Sequence, residues 1–255
     1  MKRVVVKVGS AVLTDNDEIA LERMMALVNL LAELRKTKEV ILVSSGAVAA
    51  GYTALQLDRS INISKKVLAA VGQPILMSSY KSKFEIYGID TAQILLTEDD
   101  FDSRKRTKIF KQIINTILKN KILPIVNEND ISTTPEQVFG DNDQLSAHVA
   151  HYTDSDLLVI VSDIDGYYDS NPSINKDAKL IKIINEIQKN ALDEEHTPTN
   201  AFATGGIVTK LKAAKYLMSK NREMFLCSGY DLKSAKEFLT KGTYDKGTLF
   251  TAKAQ

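Results

Sequence analysis

Six continuous apolar runs of strand length recur along the chain with amphipathic segments between them: "RVVVKVG", "VILVSSG", "AQILLT", "ILPIVN", "DLLVIVSD" and "MFLCSG". Runs without polar alternation predict strands buried on both faces, the pattern of a parallel sheet and not of half-solvated strands. Between the first two, Leu21, Met24, Met25, Leu27, Val28, Leu31 and Leu34 keep to one helical stripe, and further helices are predicted around 64–86, 102–120, 142–151, 206–220 and 231–240. Strand and helix alternate from end to end. The expected fold class is therefore α/β, a three-layer α/β/α sandwich with a mostly parallel central sheet and right-handed crossovers. No repeat, low-complexity tract or Pro/Gly/Ser-rich linker divides the chain, so residues 1–255 are read as a single domain. Stretches 127–142 and 164–204 are the least regular, and are candidates for substrate loops or a hairpin over a site.

Charge narrows the partners. Lys plus Arg is 33 and Asp plus Glu is 32, a net charge of +1 that supplies no overall field toward nucleic acid or anionic lipid. We expect neither nucleic acid nor membrane as a partner, and any anion must be bound locally. One cysteine, Cys227, excludes an internal disulfide framework, and the chain enters a strand-like run at once with no cleavable apolar segment. No apolar stretch approaches the roughly 20 residues that span a bilayer. A cytoplasmic location is expected, where the "NIS" sequon at Asn62 is irrelevant.

In open α/β sheets ligands bind beyond the carboxyl ends of the strands, so chemistry is sought where each apolar run stops. The first ends "KVGS", with Lys7 near the tip and Gly9 letting a ligand approach the backbone; the second ends "SSGAVAAG", the fourth "NEND" and the fifth "SDIDG". A further turn, "TGGIVTK", opens the helix near 206. Glycine-rich turns feeding helix N-termini present free N–H groups and the positive end of the helix dipole, which suits phosphate. Neither a GxxxxGK[ST] loop nor a GxGxxG turn after the first strand is present, which excludes the P-loop and standard dinucleotide-binding readings.

Lys7 lies in the otherwise apolar "VVVKVG", where a charge is costly without an anionic partner unless it snorkels to solvent. Lys210 follows "TGG" about one helical turn in, near whatever anion occupies that N-terminus. Two lysines from opposite ends of the chain, both placeable at one sheet edge, point to charge neutralisation in phosphoryl transfer. In "GDND", Gly140 to Asp143, either Asn142 or Asp143 caps the following helix, or Asp143 fixes the lysines or a metal. His148 and His151 have a permissible metal-ligand spacing, but no Cys or HExxH context accompanies them. "RKRTK" at 104–108 reads as a solvated helix face.

Together "VVKVGS", "SSGAVAAG", "LAAVGQ", "PIVNEND", "GDND", "VSDIDGYY" and "TGGIVTK", in this order and across essentially the whole chain, resemble the amino acid kinase family. "AVGQ", "NEND" and "GDND" in combination resemble its glutamate-phosphorylating branch. The resemblance implies transfer of the ATP γ-phosphoryl group to the side-chain carboxylate of L-glutamate, giving glutamyl 5-phosphate, the first step toward proline. By the same resemblance Lys7 contacts the transferring phosphoryl group, Lys210 ends the nucleotide motif and Asp143 holds the two lysines. Ser45, Asp130 and Asn142 match glutamate-binding positions, with Asn127 in the same loop. Gly9, Ser162, Asp163 and the run Thr204, Gly205, Gly206, Ile207, Val208, Thr209 and Lys210 match nucleotide-binding ones. It also implies feedback inhibition by proline and a homo-oligomer. Many bacterial members carry a C-terminal PUA domain, for which no counterpart follows "GTLFTAKAQ".

The chemistry agrees. A glutamate side chain, whose carboxyl ordinarily titrates near pH 4.3, is already ionised at pH 7 and needs no general base. The obstacle is repulsion between a carboxylate and a triphosphate, met by two lysines, glycine N–H groups and Mg²⁺ held mainly through the nucleotide phosphates, with no protein metal site expected. The competing readings are a kinase of the same family acting on acetylglutamate or aspartate, and a non-catalytic amino-acid or nucleotide sensor on this fold. Acetylglutamate lacks the free ammonium that Asp130 would meet.

Overall fold

The computed structural model describes residues 2–16, 18–133, 142–172, 174–192 and 205–253. Strand β1 (Arg3–Val8) is followed by a single helical turn, α1 (Ser10–Leu13), a hairpin of β2 (Thr14–Asp15) and β3 (Glu18–Ile19), and α2 (Leu21–Leu34). Then come β4 (Glu39–Ser44), α3 (Ala47–Leu55), α4 (Asn62–Glu85), β5 (Thr91–Leu96), α5 (Arg104–Lys119), β6 (Leu123–Glu128), α6 (Asn142–Tyr152) and β7 (Leu157–Ser162). Beyond a second hairpin, β8 (Tyr167–Tyr168) with β9 (Leu180–Ile181), lie β10 (Ile183–Ile184), α7 (Gly205–Ser219), β11 (Glu223–Ser228), α8 (Lys233–Lys241) and β12 (Thr248–Phe250). The main sheet runs β10-β12-β11-β7-β1-β4-β6-β5. From β11 to β5 every neighbouring pair is parallel, while β12 runs antiparallel to β11 and carries β10 with it.

Burial on both faces explains why the strands read as unbroken apolar runs. Val4, Val6 and Val8 pack on one side against Met24, Leu27, Leu31 and Tyr80 of α2 and α4, while Val5, Ile41 and Val43 pack on the other against α5, α6 and α7. That makes the three layers. Within α2 the predicted stripe is buried at Met24, Leu27, Val28, Leu31 and Leu34, whereas Leu21 is 56% exposed in the first turn. Among the described residues, no helix is long and apolar enough to cross a membrane.

One contact between layers shapes the site. A Cβ built on Gly51 of α3 would lie 1.9 Å from the Leu68 carbonyl oxygen, and one on Gly72 of α4 would lie 1.8 Å from that of Ala47. Only glycine at both positions lets α3 and α4 touch backbone to backbone. The turn into α3 passes through Gly46 at φ +109°, a conformation that side chains disfavour, and aims the first turn of α3 along the carboxyl edge of the sheet.

Candidate active site

The parallel register brings Val8, Ser44, Val161, Ser162 and Ser228 to one edge of the sheet, with Asn127 and Glu128 at the end of β6. From β1 the chain builds β4, β5 and β6 outward on one side and then returns to lay β7 on the other. Such a reversal of strand order opens a crevice beyond the strand ends. The Gly9 N–H donates to the Val161 carbonyl oxygen at 3.3 Å, tying the two strands at this point.

Lys7 and Lys210 meet there, as expected from their positions in the sequence. Lys7 Nζ lies 2.6 Å from Asp143 Oδ1 and Lys210 Nζ lies 3.1 Å from Asp143 Oδ2. All three are buried, at 1%, 5% and 0% exposure for Lys7, Lys210 and Asp143. Thr209 Oγ1 donates to the same Oδ2 at 3.0 Å, and Lys210 Nζ donates to the Gly206 carbonyl at 2.9 Å. Burial alone would push the Asp143 carboxyl up, but the Lys7 and Lys210 ammonium groups beside it outweigh that and hold it below the usual carboxylate range. Two buried ammonium groups on one carboxylate leave a unit of positive charge away from water, a strong place for an anion.

The glycines give access. A Cβ on Gly9 would lie 3.7 Å from Lys7 Nζ, and one on Gly206 would lie 3.9 Å from Lys210 Nζ, so bare backbone borders both ammonium groups. Gly205 and Gly206 form the first turn of α7, with its free N–H groups. The Ile207 and Val208 side chains are buried in the core beneath α7, so any part these two residues take in the site is through their backbone. Thr204 lies outside the described residues. At the end of β7, Ser162 Oγ donates to Asp163 Oδ1 at 2.8 Å.

Neither residue of the Asn142–Asp143 pair caps α6. The Asp143 carboxylate is taken by lysines and Thr209, and the Asn142 amide turns the other way, its Nδ2 having three acceptors within reach of its two hydrogens: Asn127 Oδ1 at 2.8 Å, Ser45 Oγ at 2.9 Å and the Ser44 carbonyl at 3.1 Å. Consecutive residues of one helix thus serve two adjoining spaces. Asn142 lines a cavity of about 290 Å³ together with Ser10, Ser45, Asn127, Glu128 and Asp130. The first turn of α3, Ala47 to Ala49, forms another wall of it. Among the described residues, Asn142 Oδ1 is buried without a hydrogen-bond partner.

Burial raises the Asp130 carboxyl above its ordinary value, partly offset by its own backbone N–H and by Lys66. Lys66 reaches from α4 to donate to the Ile131 carbonyl at 3.3 Å, so α4 also ties down the loop that carries Asp130. A carboxylate, a hydroxyl, two amide side chains and helix N–H groups around so small a volume suit a compact zwitterion.

Several residues at or behind the cavity wall are not singled out by the sequence. Glu128, at the end of β6, is buried and faces the cavity. Gln73 accepts from Asn127 Nδ2 at 2.9 Å, and Tyr80 OH lies 2.8 Å from Ser44 Oγ, both from α4. The one signal for Gln73 was a polar residue closing the apolar run "LAAVGQ". His148 and His151 lie in an aromatic cluster instead, with the His148 ring stacked on Tyr216 at 4.5 Å and its pKa pushed down to about 4 by burial.

Comparison with known proteins supplies independent findings. The profile of the amino acid kinase family matches residues 2–228. The glutamate 5-kinase of Wolinella succinogenes is 51% identical over 255 residues, covering 98% of each chain. That of Leishmania donovani is 50% identical over 250 residues, covering 98% of this chain and 95% of the relative. Among solved structures, the isopentenyl phosphate kinase of T. acidophilum superposes with a TM-score of 0.67 at 14% identity, covering 97% of this chain and 100% of that one. The UMP kinase of Ureaplasma parvum gives 0.64 at 18% identity and 98% coverage of both chains. At these identities the structural matches establish the fold, a mostly parallel three-layer sandwich.

Proposed function

The chain belongs to the amino acid kinase family and is a kinase, and we propose that it transfers the γ-phosphoryl group of ATP to the side-chain carboxylate of L-glutamate, as a glutamate 5-kinase does. The observation that carries this reading is the buried Lys7–Asp143–Lys210 cluster set directly beside a pocket built for a small zwitterion. In the reaction one carboxylate oxygen of glutamate bonds to the γ-phosphorus as the bond to the β,γ-bridging oxygen breaks, its electron pair leaving with ADP. No proton has to move, which accords with a centre built from fixed charges.

Lys7, from the middle of the sheet, and Lys210, from the nucleotide-side helix, neutralise the transferring group between them, while Asp143 holds both ammonium groups in place at all stages. The first turn of α7, with Gly205 and Gly206, offers N–H groups to phosphate oxygens, and Gly9, Ser162 and Asp163 close the nucleotide side. The Asp143 carboxylate is already claimed by two lysines. A Mg²⁺ ion would therefore be carried by the phosphate oxygens of the nucleotide and would supply further charge neutralisation there.

Asp130 and Asn142 receive the α-ammonium of glutamate; Ser45 Oγ and the first turn of α3 receive its α-carboxylate. An ammonium beside Asp130 relieves a carboxylate that burial disfavours, so the pocket prefers a free amine over an acylated one. Asp130→Ala is expected to raise the KM for glutamate about 10- to 100-fold, the worth of one hydrogen bond to a charged group, with the KM for ATP within about threefold. Steady-state kinetics with each substrate varied in turn measures this, and equal rises in both KM values would remove Asp130 from the amino-acid site.

A further inference from the structure

The "AVGQ" stretch contains a residue that determines how the pocket reads its substrate, provided that the substrate is glutamate, as proposed above. An asparagine or glutamine amide can be turned over so that oxygen and nitrogen exchange places, so its orientation is fixed only by neighbours that cannot turn. Two such neighbours are present. The backbone N–H of Glu128 donates to Asn127 Oδ1 at 2.9 Å, and a backbone N–H can only donate. The backbone carbonyl of Ser44 accepts from Asn142 Nδ2 at 3.1 Å, and a carbonyl can only accept. Between these fixed ends the contact from Asn142 Nδ2 to Asn127 Oδ1, at 2.8 Å, has one sense only.

This leaves Asn127 Nδ2 pointing away from Asn142, inside a residue only 4% exposed, where an unmatched donor is costly. The group that satisfies it is Gln73 Oε1 at 2.9 Å, from a side chain 8% exposed. Gln73 is itself held in place because its neighbour Gly72 seats α4 in backbone contact with α3, the helix whose first turn walls the pocket. The far end of the chain of amides is Asn142 Oδ1, buried and without a partner among the described residues.

We infer that Gln73 is a positioning residue for amino-acid recognition: by accepting from Asn127 Nδ2 it completes the chain of amides that the Glu128 N–H and the Ser44 carbonyl orient, and so holds Asn142 at the wall of the pocket that takes the amino end of the substrate. Gln73 need not touch the substrate. Its removal leaves Asn127 Nδ2 a buried donor without its acceptor, so the Asn127 side chain shifts and the Asn142 amide in contact with it loses its position.

The test compares Gln73→Leu, which keeps the approximate volume and removes the acceptor, with Gln73→Glu, whose carboxylate can still accept from Asn127 Nδ2. Each is assayed with L-glutamate and with glutarate, the same dicarboxylate lacking the amine, alongside ATP titration and thermal unfolding. For Gln73→Leu the KM for glutamate is expected to rise about tenfold, the KM for ATP to stay within twofold, and the preference for glutamate over glutarate in kcat/KM to shrink by a similar factor, since a buried donor is left without its acceptor. Gln73→Glu should recover at least half of that preference. An unchanged glutamate-to-glutarate preference in a folded Gln73→Leu enzyme, or a Gln73→Glu variant no better than Gln73→Leu, overturns the inference. Should Gln73→Leu fail to fold, Gln73→Glu against Gln73→Met decides by the same ratio. Failure of the wild-type enzyme to phosphorylate glutamate at all refutes the underlying reading instead, so the two outcomes are distinguishable.

Discussion

Lys210→Ala is expected to lower kcat by about 10³-fold, with the KM for glutamate changed by less than about threefold; Lys7→Ala should do the same. The scale follows from removing one preorganised charge aimed at a developing transition state, which in comparable sites costs about 10²- to 10³-fold, and more where the charge meets a transferring phosphoryl group. The direction follows from geometry. Both ammonium groups are buried, each is held by one oxygen of Asp143, and bare glycine backbone borders each of them, so nothing else in the cluster can take over the lost charge. The effect belongs on kcat because charge accumulates on the transferring group as the reaction proceeds, while the amino acid is gripped elsewhere. Single-turnover rates at saturating ATP check this, and a variant that retains a tenth of the wild-type rate would take that lysine out of the mechanism.

The second large effect concerns Asp143, which belongs to stability as much as to catalysis. Asp143→Asn leaves two buried ammonium groups facing each other without a counter-charge, and breaking a buried ion pair on one side costs about 3 to 5 kcal/mol. A fall of that size in unfolding free energy is expected at pH 7, together with a kcat loss at least as large as that of either lysine variant, because both lysines lose their anchor at once. The pH profile carries a further signature. The folded carboxyl is held below its unfolded value, so its contribution is complete above about pH 4, near the unfolded pKa, and declines as pH falls toward the lower folded value. Urea midpoints of wild type and Asp143→Asn should therefore differ by a constant amount from pH 8 down to about 5 and converge below about pH 4. Parallel curves throughout would mean that the carboxylate is not what holds the cluster.

How much of this was readable in the chain depended on how local each cause was. A lysine inside "VVVKVG" was legible because burying a charge demands a partner whatever the fold, and a parallel sheet with six apolar strands was legible because burial on both faces leaves no polar alternation. The lysine's partner was legible only through the family resemblance. "GDND" permitted a cap or a clamp, and the choice turned on the rotation of α6 about its axis, which sends Asn142 to one pocket and Asp143 to the other. Gln73 was hidden for a similar reason, since its acceptor role exists only once α4 has brought it against a strand 54 positions later. Ile207 and Val208 sit in a nucleotide motif, yet α7 must bury one face on the sheet, and those two residues supply it. Strands as short as β10 and β12 leave no period to detect, and the hairpin of β8 and β9 was foreseen only as one way of filling 164–204.

All of these expectations presuppose one reaction. The purified protein, given ATP, Mg²⁺ and hydroxylamine, should form a hydroxamate when L-glutamate is supplied and little or none with aspartate, acetylglutamate or other amino acids at equal concentration. Formation that depends on glutamate and is lost in Lys210→Ala is the predicted result. ATP binding without any glutamate-dependent hydroxamate, or a stronger signal with a different carboxylic acid, would contradict it.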